Sequence, residues 1–89
     1  MNSSNYTLID VREPDEFERE HLQGAINIPS ESLMSGAPEL KNIPKDTNLL
    51  IYCRTGSRSQ IAINIFRSMG YTNLINGINK DIAHDRFGV

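Results

Sequence analysis

A lone cysteine followed by glycine, hydroxyl and arginine side chains is the part of the sequence best suited to chemistry. Cys53 is the only cysteine of the 89 residues, and the sequence Arg-Thr-Gly-Ser-Arg-Ser follows it directly. One cysteine excludes an internal disulfide and a multi-thiolate metal site, which leaves a free thiol that is either buried and inert or presented and reactive. Because two arginines and several hydroxyl groups need water or an anion around them, we favour a reactive thiol.

The elements around Cys53 predict how its thiol is activated. Residues 49–52 form an apolar run typical of a central parallel strand, and a helical pattern begins at Ser57 and ends at Gly70. Cys53 therefore lies where a strand ends and a helix begins, which is where α/β sheets have their functional crevices. The free N–H groups of a helix N-terminus and nearby arginines lower a cysteine pKa from about 8.5 into a range of roughly 3.5–7.5. We therefore expect a thiolate at neutral pH.

Arg54 and Arg58 supply positive charge beside this thiolate. An arginine side chain binds an oxyanion through two parallel hydrogen bonds, whereas lysine acts as a point charge. The segment is therefore suited to an anionic substrate or to an anionic covalent adduct.

The rest of the chain alternates between strand-like and helix-like segments. The strands are predicted at residues 6–11, 25–29 and 49–52, and residues 71–77 are predicted to form a last strand and a turn. The helices are predicted from Pro14 to about His21, from Ser57 to Gly70 and from Ile78 to about Arg86, while residues 30–41 fit either one interrupted helix or two short helical turns. This alternation predicts an α/β fold with a mostly parallel sheet of about four to five short strands, flanked by helices on both faces.

The composition excludes several classes of function. Eleven acidic and nine basic residues are interspersed and give a net charge of −2, so no nucleic-acid partner is expected. No apolar run approaches the about 18–20 residues that cross a bilayer, and residues 1–5 lack the regions of a signal peptide. We expect one cytoplasmic domain over residues 1–89, with no membrane partner, no metal and no cofactor.

Four segments, in order along the chain, resemble the single-domain rhodaneses, which are thiosulfate sulfurtransferases. The segment from Cys53 to Ser59 is similar to the active-site loop of that family. The other three are residues 8–17 (Leu-Ile-Asp-Val-Arg-Glu-Pro-Asp-Glu-Phe), residues 21–29 (His-Leu-Gln-Gly-Ala-Ile-Asn-Ile-Pro) and residues 70–73 (Gly-Tyr-Thr-Asn). The resemblance covers most of the chain and implies a rhodanese-like α/β fold.

The resemblance also implies sulfur transfer at Cys53. The cysteine would take a sulfane sulfur from a small anionic donor such as thiosulfate, become a persulfide, and pass the sulfur to cyanide, a thiol or a protein acceptor. Backbone N–H groups of residues 54–59 would cradle the outer sulfur, Arg58 would orient or neutralise the donor, and Arg54 would widen the positive rim. The hydroxyls in the loop would bond either the adduct or their own backbone. The site residues implied are Cys53, Arg54, Thr55, Gly56, Ser57, Arg58 and Ser59.

Two other functions stay open at this point. Related phosphatases have a longer loop between cysteine and arginine, with room for a phosphate, whereas four residues separate Cys53 from Arg58. A phosphatase or arsenate reductase is therefore less favoured, and it would need a general acid that the sequence does not identify. The other is a sulfur-carrier or regulatory module that delivers its persulfide to a protein partner, which the lack of a second cysteine also fits.

Other titratable residues have structural interpretations. His21 falls in a turn, and a thiolate that a helix terminus activates needs no base. His84 has no partner at metal-ligand spacing. Asp10 and Arg12 are expected to fix the end of the first strand, Arg12 through a salt bridge or contacts with carbonyl groups. The acidic residues near the first helix are expected to form a solvated face: Glu13, Asp15, Glu16, Glu18 and Glu20.

The chain departs from the family pattern at two places. Family members commonly carry a further strand and helix before the segment that begins here at Tyr6, so we expect an open sheet edge. Residues 76–81 stand where the family has a double-glycine turn and a tryptophan-bearing helix. A partner or a second copy of the chain would cover an open edge, and the sequence leaves the oligomeric state open.

Overall fold

In residues 5–89, which the computed structural model describes, four parallel strands form one sheet and helical segments connect them. The strands are β1 (Thr7–Asp10), β2 (Ile26–Asn27), β3 (Asn48–Tyr52) and β4 (Asn73–Ile78). The helices are α1 (Pro14–Arg19), α2 (Ser30–Met34), α3 (Ser57–Ser68) and α4 (Lys80–Phe87), and a 3-10 turn covers Pro38–Leu40. None of the helices in this part of the chain has both the length and the apolar character needed to span a bilayer.

The strands lie in the order β2-β1-β3-β4, so β1 and β3 are the internal pair. Their register runs from Thr7 opposite Leu49 to Asp10 opposite Tyr52. The predicted parallel α/β sheet is therefore confirmed, as is the central position of the strand that precedes Cys53. Because every pair is parallel, the carboxyl ends of the strands meet at one edge of the sheet, which is where Cys53 follows β3.

Alternate side chains of the strands fill two cores, one on each face of the sheet. Ile9 and Ile51 lie in the larger core together with Phe66 of α3. Leu50, the neighbour of Ile51 on β3, lies in the second core with Ala83 of α4. Such continuous apolar strands are typical of a parallel sheet that helices cover on both faces, as the sequence predicts.

Several predicted elements are shorter or more divided than expected. The strand predicted over residues 25–29 keeps its ladder pairing only at Ile26–Asn27, and α1 also ends early. Residues 30–41 form two separate helical pieces, which was one of the two alternatives. Gly36 and Ala37 separate these pieces because both have a positive φ, of 92° and 49°, that a right-handed helix cannot contain.

A buried ion pair fixes the carboxyl end of β1. The Arg12 guanidinium donates to the Asp10 carboxylate, with an Nη2–Oδ2 distance of 2.8 Å, and both side chains are almost fully buried. The same Nη2 also donates to the backbone carbonyl of Glu20, just after α1. The expectation that Asp10 and Arg12 fix this strand end is confirmed, and the pair ties β1 to the helix that borders the site.

Replacing Asp10 with Asn should destabilise the fold, because it leaves the Arg12 guanidinium buried without its counter-charge. We expect the free energy of unfolding to fall by about 3–5 kcal/mol, the range for breaking a buried ion pair from one side. Urea unfolding followed by circular dichroism measures this. Asp15→Asn is the matched control, because Asp15 forms an exposed pair with Arg19 and its loss should cost much less. Equal losses in the two variants would contradict the role of the Asp10 pair.

Candidate active site

The sulfur of Cys53 lies in a cradle of hydrogen-bond donors. The backbone N–H of Gly56 donates to Sγ at 3.1 Å, and the backbone N–H of Ser59 donates at 3.4 Å. The Ser59 hydroxyl lies 3.5 Å from the same sulfur. Since α3 begins at Ser57, these donors are groups of the first turn and of the residue before it, which have no partner within a helix.

These donors favour the ionised form of Cys53. Burial is the largest single influence and opposes ionisation, but the hydrogen bond between Cys53 and the Ser59 hydroxyl and those from the backbone N–H groups of Ser59, Gly56 and Thr55 together outweigh it. The pKa of Cys53 is therefore lowered from its ordinary value. The direction is the one that the sequence predicts, although hydrogen bonds, and not the arginines, are the main influences that lower the pKa.

Cys53 is both buried and accessible to the site. The residue as a whole is only 1% exposed, yet it contributes to the wall of a surface cavity. From the sequence we expected the thiol to be either buried and inert or presented and reactive. That expectation was wrong, because Cys53 is buried and still lines the cavity. The polar side chains that argued against burial point outward instead, because Arg54, Thr55 and Ser57 are exposed while the sulfur lies beneath them.

Gly56 shapes the turn that aims the N–H groups at the sulfur. Its φ is 95°, in the left-handed region that an L side chain rarely adopts. A Cβ at this position would lie 3.5 Å from the Ile78 side chain, an ordinary van der Waals contact, so the backbone conformation and not the space is limiting. The loop therefore needs glycine here for its backbone conformation.

Arg58 is held by a carboxylate that the sequence did not single out. Its Nη1 lies 2.9 Å from Glu16 Oε1 and its Nη2 lies 3.4 Å from Oε2, so both ends of the guanidinium face Glu16. The expectation that Glu16 belongs to a solvated helix face was wrong, because its side chain is only 16% exposed. The hydrogen bond from Arg58 is the main cause that lowers the pKa of Glu16 to about 2.

The side chains of Arg54, Thr55 and Ser57 are exposed and contact groups other than the sulfur. The Arg54 side chain is 71% exposed, lines the cavity, and has its Nη1 3.8 Å from the same Glu16 carboxylate. The hydroxyls of Thr55 and Ser57 lie 3.2 Å apart and pair with each other. The structure thus brings Cys53, Gly56 and Ser59 together, with the arginines around them.

Asn76 is a site residue that sequence reasoning missed. Its Nδ2 donates to the Gly56 carbonyl at 3.0 Å, and its Oδ1 accepts from the Ser59 hydroxyl at 2.6 Å and from the Ile78 backbone N–H at 2.9 Å. The side-chain amide of Asn76 therefore binds both residues whose backbone N–H groups donate to the sulfur, Gly56 and Ser59. The sequence signal that could have identified this residue was its position, because Asn76 begins the segment that stands where the family has a double-glycine turn.

An irregularity in β4 brings Asn76 to this place. The register between β3 and β4 shifts after Ile51, so that Tyr52 lies opposite Ile78. Ile78 has a φ of 70°, which is rare for a β-branched residue, and its carbonyl accepts the Cys53 backbone N–H at 3.0 Å. The irregular end of β4 therefore holds the loop through hydrogen bonds to Cys53 and Gly56.

The cavity beside Cys53 carries mixed charge. Its volume is about 410 Å³, within the range of small-molecule sites. Lys80, at the start of α4, closes one side through a 2.7 Å ion pair with Glu20. The residues that line it are Arg12, Glu16, Arg19, Glu20, Cys53, Arg54, Asn79, Lys80 and Asp81.

Neither histidine contacts the sulfur. The His21 ring stacks on Phe17 with centroids 3.7 Å apart, and its Nδ1 lies 2.7 Å from the Phe17 carbonyl oxygen. His84 Nδ1 lies 2.6 Å from the carbonyl oxygen of Val89. The structural interpretation of His21 is confirmed by these contacts.

The hydrogen bonds at Sγ predict a displaced titration of Cys53. The rate of alkylation by iodoacetamide, measured against pH, should have its midpoint below that of the same chain unfolded in urea, because the folded thiol ionises more readily. The folded thiolate then contributes stability that is complete above the unfolded pKa and is lost as pH falls through the folded pKa. Ser59→Ala should move the folded midpoint upward. A midpoint in the folded protein at or above that of the unfolded chain would contradict the claim that these hydrogen bonds lower the pKa of Cys53.

Asn76→Asp should weaken the cradle without changing the size of the side chain. Aspartate keeps the acceptor for Ser59 and Ile78 but loses the N–H that binds Gly56, and its negative charge opposes a thiolate nearby. We expect the Cys53 pKa to rise and the alkylation rate at neutral pH to fall about three- to tenfold.

Asn73→Asp is the matched control for that variant. Asn73 lies on the same strand, and its Nδ2 also donates to a backbone carbonyl, that of Asp46, at 2.8 Å. Unlike Asn76, the Asn73 side chain donates to Asp46 and not to a residue of the Cys53–Ser59 loop. Its replacement should therefore leave the pH profile of alkylation unchanged. The same pKa rise in both variants would refute a specific role for Asn76.

Comparison with known proteins gives one consistent family. The model of the rhodanese-like domain matches residues 1–82. The chain is 41% identical over 80 residues to the thiosulfate sulfurtransferase PspE of Escherichia coli (strain K12), covering 84% of this chain and 72% of PspE. It is 29% identical over 75 residues to the putative sulfur carrier protein YrkF of Bacillus subtilis (strain 168), covering 84% of this chain but 39% of YrkF.

A solved structure supports the same conclusion for the fold. A rhodanese from E. coli, described with anions, matches with a TM-score of 0.70 and 34% identity, covering 86% of this chain and 89% of that one. The rhodanese-like α/β fold that the resemblance implies is therefore confirmed. Because the family model spans most of the chain and PspE matches along most of its own length, the chain belongs to the rhodanese family.

Proposed function

We propose that the protein is an enzyme of the thiosulfate sulfurtransferase type that carries sulfur on Cys53. The observation that carries this proposal is the pair of backbone N–H groups, of Gly56 and Ser59, that donate to the sulfur. Preorganised N–H groups stabilise an anion in the same way whether it is a thiolate or the outer sulfur of a persulfide. The relationship to PspE supports the same reaction class.

In the first half-reaction the Cys53 thiolate attacks the sulfane sulfur of the donor. With thiosulfate, a bond forms between Sγ and that sulfur, the sulfur–sulfur bond of thiosulfate breaks, and its electron pair leaves with sulfite. The product is a persulfide anion on Cys53. No proton transfer is needed, which fits a site in which neither histidine contacts the sulfur.

In the second half-reaction an acceptor regenerates Cys53. Cyanide or a thiolate attacks the outer sulfur, the bond to Sγ breaks, and its electron pair returns to Sγ as the thiolate. The product is thiocyanate or a new persulfide. Since Cys53 is the only cysteine of these 89 residues, they supply no second thiol, and the proposed acceptor is a small thiol or a protein thiol.

The loop residues divide into two roles in this proposal. Gly56 and Ser59 hold the anionic sulfur through their N–H groups, and Arg54, exposed at the cavity, meets the incoming donor. Arg58 contributes positive charge from a position fixed by Glu16. Thr55 and Ser57 pair with each other and maintain the shape of the loop.

A phosphatase is less well supported. Besides the four-residue spacing between Cys53 and Arg58, such an enzyme needs a protonated acid for its leaving group. Glu16 is the carboxylate next to Arg58, and its pKa of about 2 keeps it ionised and unable to donate a proton near neutral pH.

A sulfur carrier is the second candidate, favoured by the lone cysteine and by the similarity to YrkF. It shares the Cys53 persulfide and differs only in its acceptor, which would be one protein partner. Slow turnover with cyanide, together with fast transfer to a protein thiol, would distinguish it from the enzyme. The sequence predicts a cytoplasmic location and no nucleic-acid or membrane partner, and these stay predictions. The oligomeric state stays open.

Incubation with thiosulfate should add the mass of one sulfur atom to Cys53, measured by mass spectrometry of the intact protein and its peptides. Addition of cyanide should then release thiocyanate and restore the original mass. Cys53→Ser is the control and should show neither change. Absence of the adduct with the folded wild-type protein at neutral pH would refute the proposal.

A further inference from the structure

Every basic residue beside the cavity is paired with a carboxylate. Lys80, Arg12, Arg58 and Arg19 lie between 2.7 and 3.1 Å from their partners, and Arg54 lies 3.8 Å from Glu16. Four carboxylates face these five cations, because Arg54 and Arg58 share Glu16. The positive field at Cys53 is therefore weaker than the number of arginines suggests, but it is not cancelled.

Glu16 is the carboxylate with the greatest influence on this field. It faces both loop arginines and lines the cavity together with Cys53. Its side chain is mostly buried, so solvent screens its charge less than that of an exposed acid. Because its pKa is lowered to about 2, it stays ionised at neutral and mildly acidic pH, so its effect is constant over that range.

We propose that Glu16 is a specificity-determining residue that offsets the charge of Arg58 and so lowers the preference of the site for a dianionic donor such as thiosulfate over a less charged one. The donor class that gains from this offset is an organic persulfide, which carries at most one charge on its reacting group. This inference rests on the proposed sulfurtransferase function and deepens it. The cavity volume of about 410 Å³ also leaves room for an organic substituent, whereas thiosulfate has only a few heavy atoms.

The transfer from such a donor balances as a simple displacement. The Cys53 thiolate attacks the outer sulfur of R–S–SH, a bond forms between Sγ and that sulfur, and the donor sulfur–sulfur bond breaks. The electron pair leaves with R–S⁻, and the proton stays on the transferred sulfur. No oxidant or reductant is consumed.

Two alkylating agents of similar size measure the charge preference directly. Iodoacetate is an anion and iodoacetamide is neutral, and both react with the same thiolate, so the ratio of their rates cancels any change in the Cys53 pKa. Glu16→Gln should raise the iodoacetate-to-iodoacetamide ratio about three- to tenfold, because it leaves the charge of Arg58 uncompensated. The effect should shrink in about 1 M salt, where the Debye length is about 3 Å.

Two further variants separate charge from structural damage. Glu18→Gln is the matched control, because Glu18 lies on the same helix, is exposed, and loses the same charge on substitution. Arg58→Gln should lower the ratio, and the double variant Glu16→Gln with Arg58→Gln should return it close to the wild-type value. An unchanged ratio in Glu16→Gln, or an equal change in Glu18→Gln, would overturn the proposal.

The sulfur-transfer assay then tests the consequence for substrates. Glu16→Gln should lower the KM for thiosulfate, and it should change the KM for a small organic persulfide less than about twofold. A similar change for both donors would count against the proposed specificity. If no variant transfers sulfur at all, the proposed function fails, while the alkylation ratio still decides whether Glu16 sets the charge preference.

Discussion

The backbone N–H groups that donate to the Cys53 sulfur are the interaction on which the rest of the site depends. They point inward only because Gly56 adopts a positive φ and because α3 begins directly after it. The apolar strand before Cys53 and the core beneath α3 hold these two features in position. Burial alone would oppose ionisation of the thiol, so the donors turn an otherwise inert environment into one that stabilises an anion.

Local patterns made the loop and its neighbouring elements predictable from the sequence. The strand before Cys53, the helix after it and the glycine between them each depend on residues close together in the chain. The missed contacts join distant residues: Glu16 and Arg58 are 42 positions apart, and Ser59 and Asn76 are 17 apart. Within a run of acidic residues, Glu16 differs from its neighbours only once α1 lies against the loop.

Charge around the site is organised as pairs. Surface ion pairs contribute little to stability, but they restrict where long arginine side chains can lie. Glu16 holds one guanidinium with both of its oxygens, and Lys80 and Glu20 join the start of α4 to the residue after α1. The C-terminal segment therefore contributes to the wall of the cavity, although it departs from the family pattern.

Ile78 connects the stability of the fold to the geometry of the candidate active site. A β-branched residue in the left-handed region costs of the order of 1–3 kcal/mol, and hydrogen bonds to Asn76 and Cys53 hold it there. A glycine would remove that strain, but it would also remove the side chain that borders Gly56. The same residue therefore carries both backbone strain and packing against the loop, so stability and the packing around the sulfur cannot be changed independently at this position.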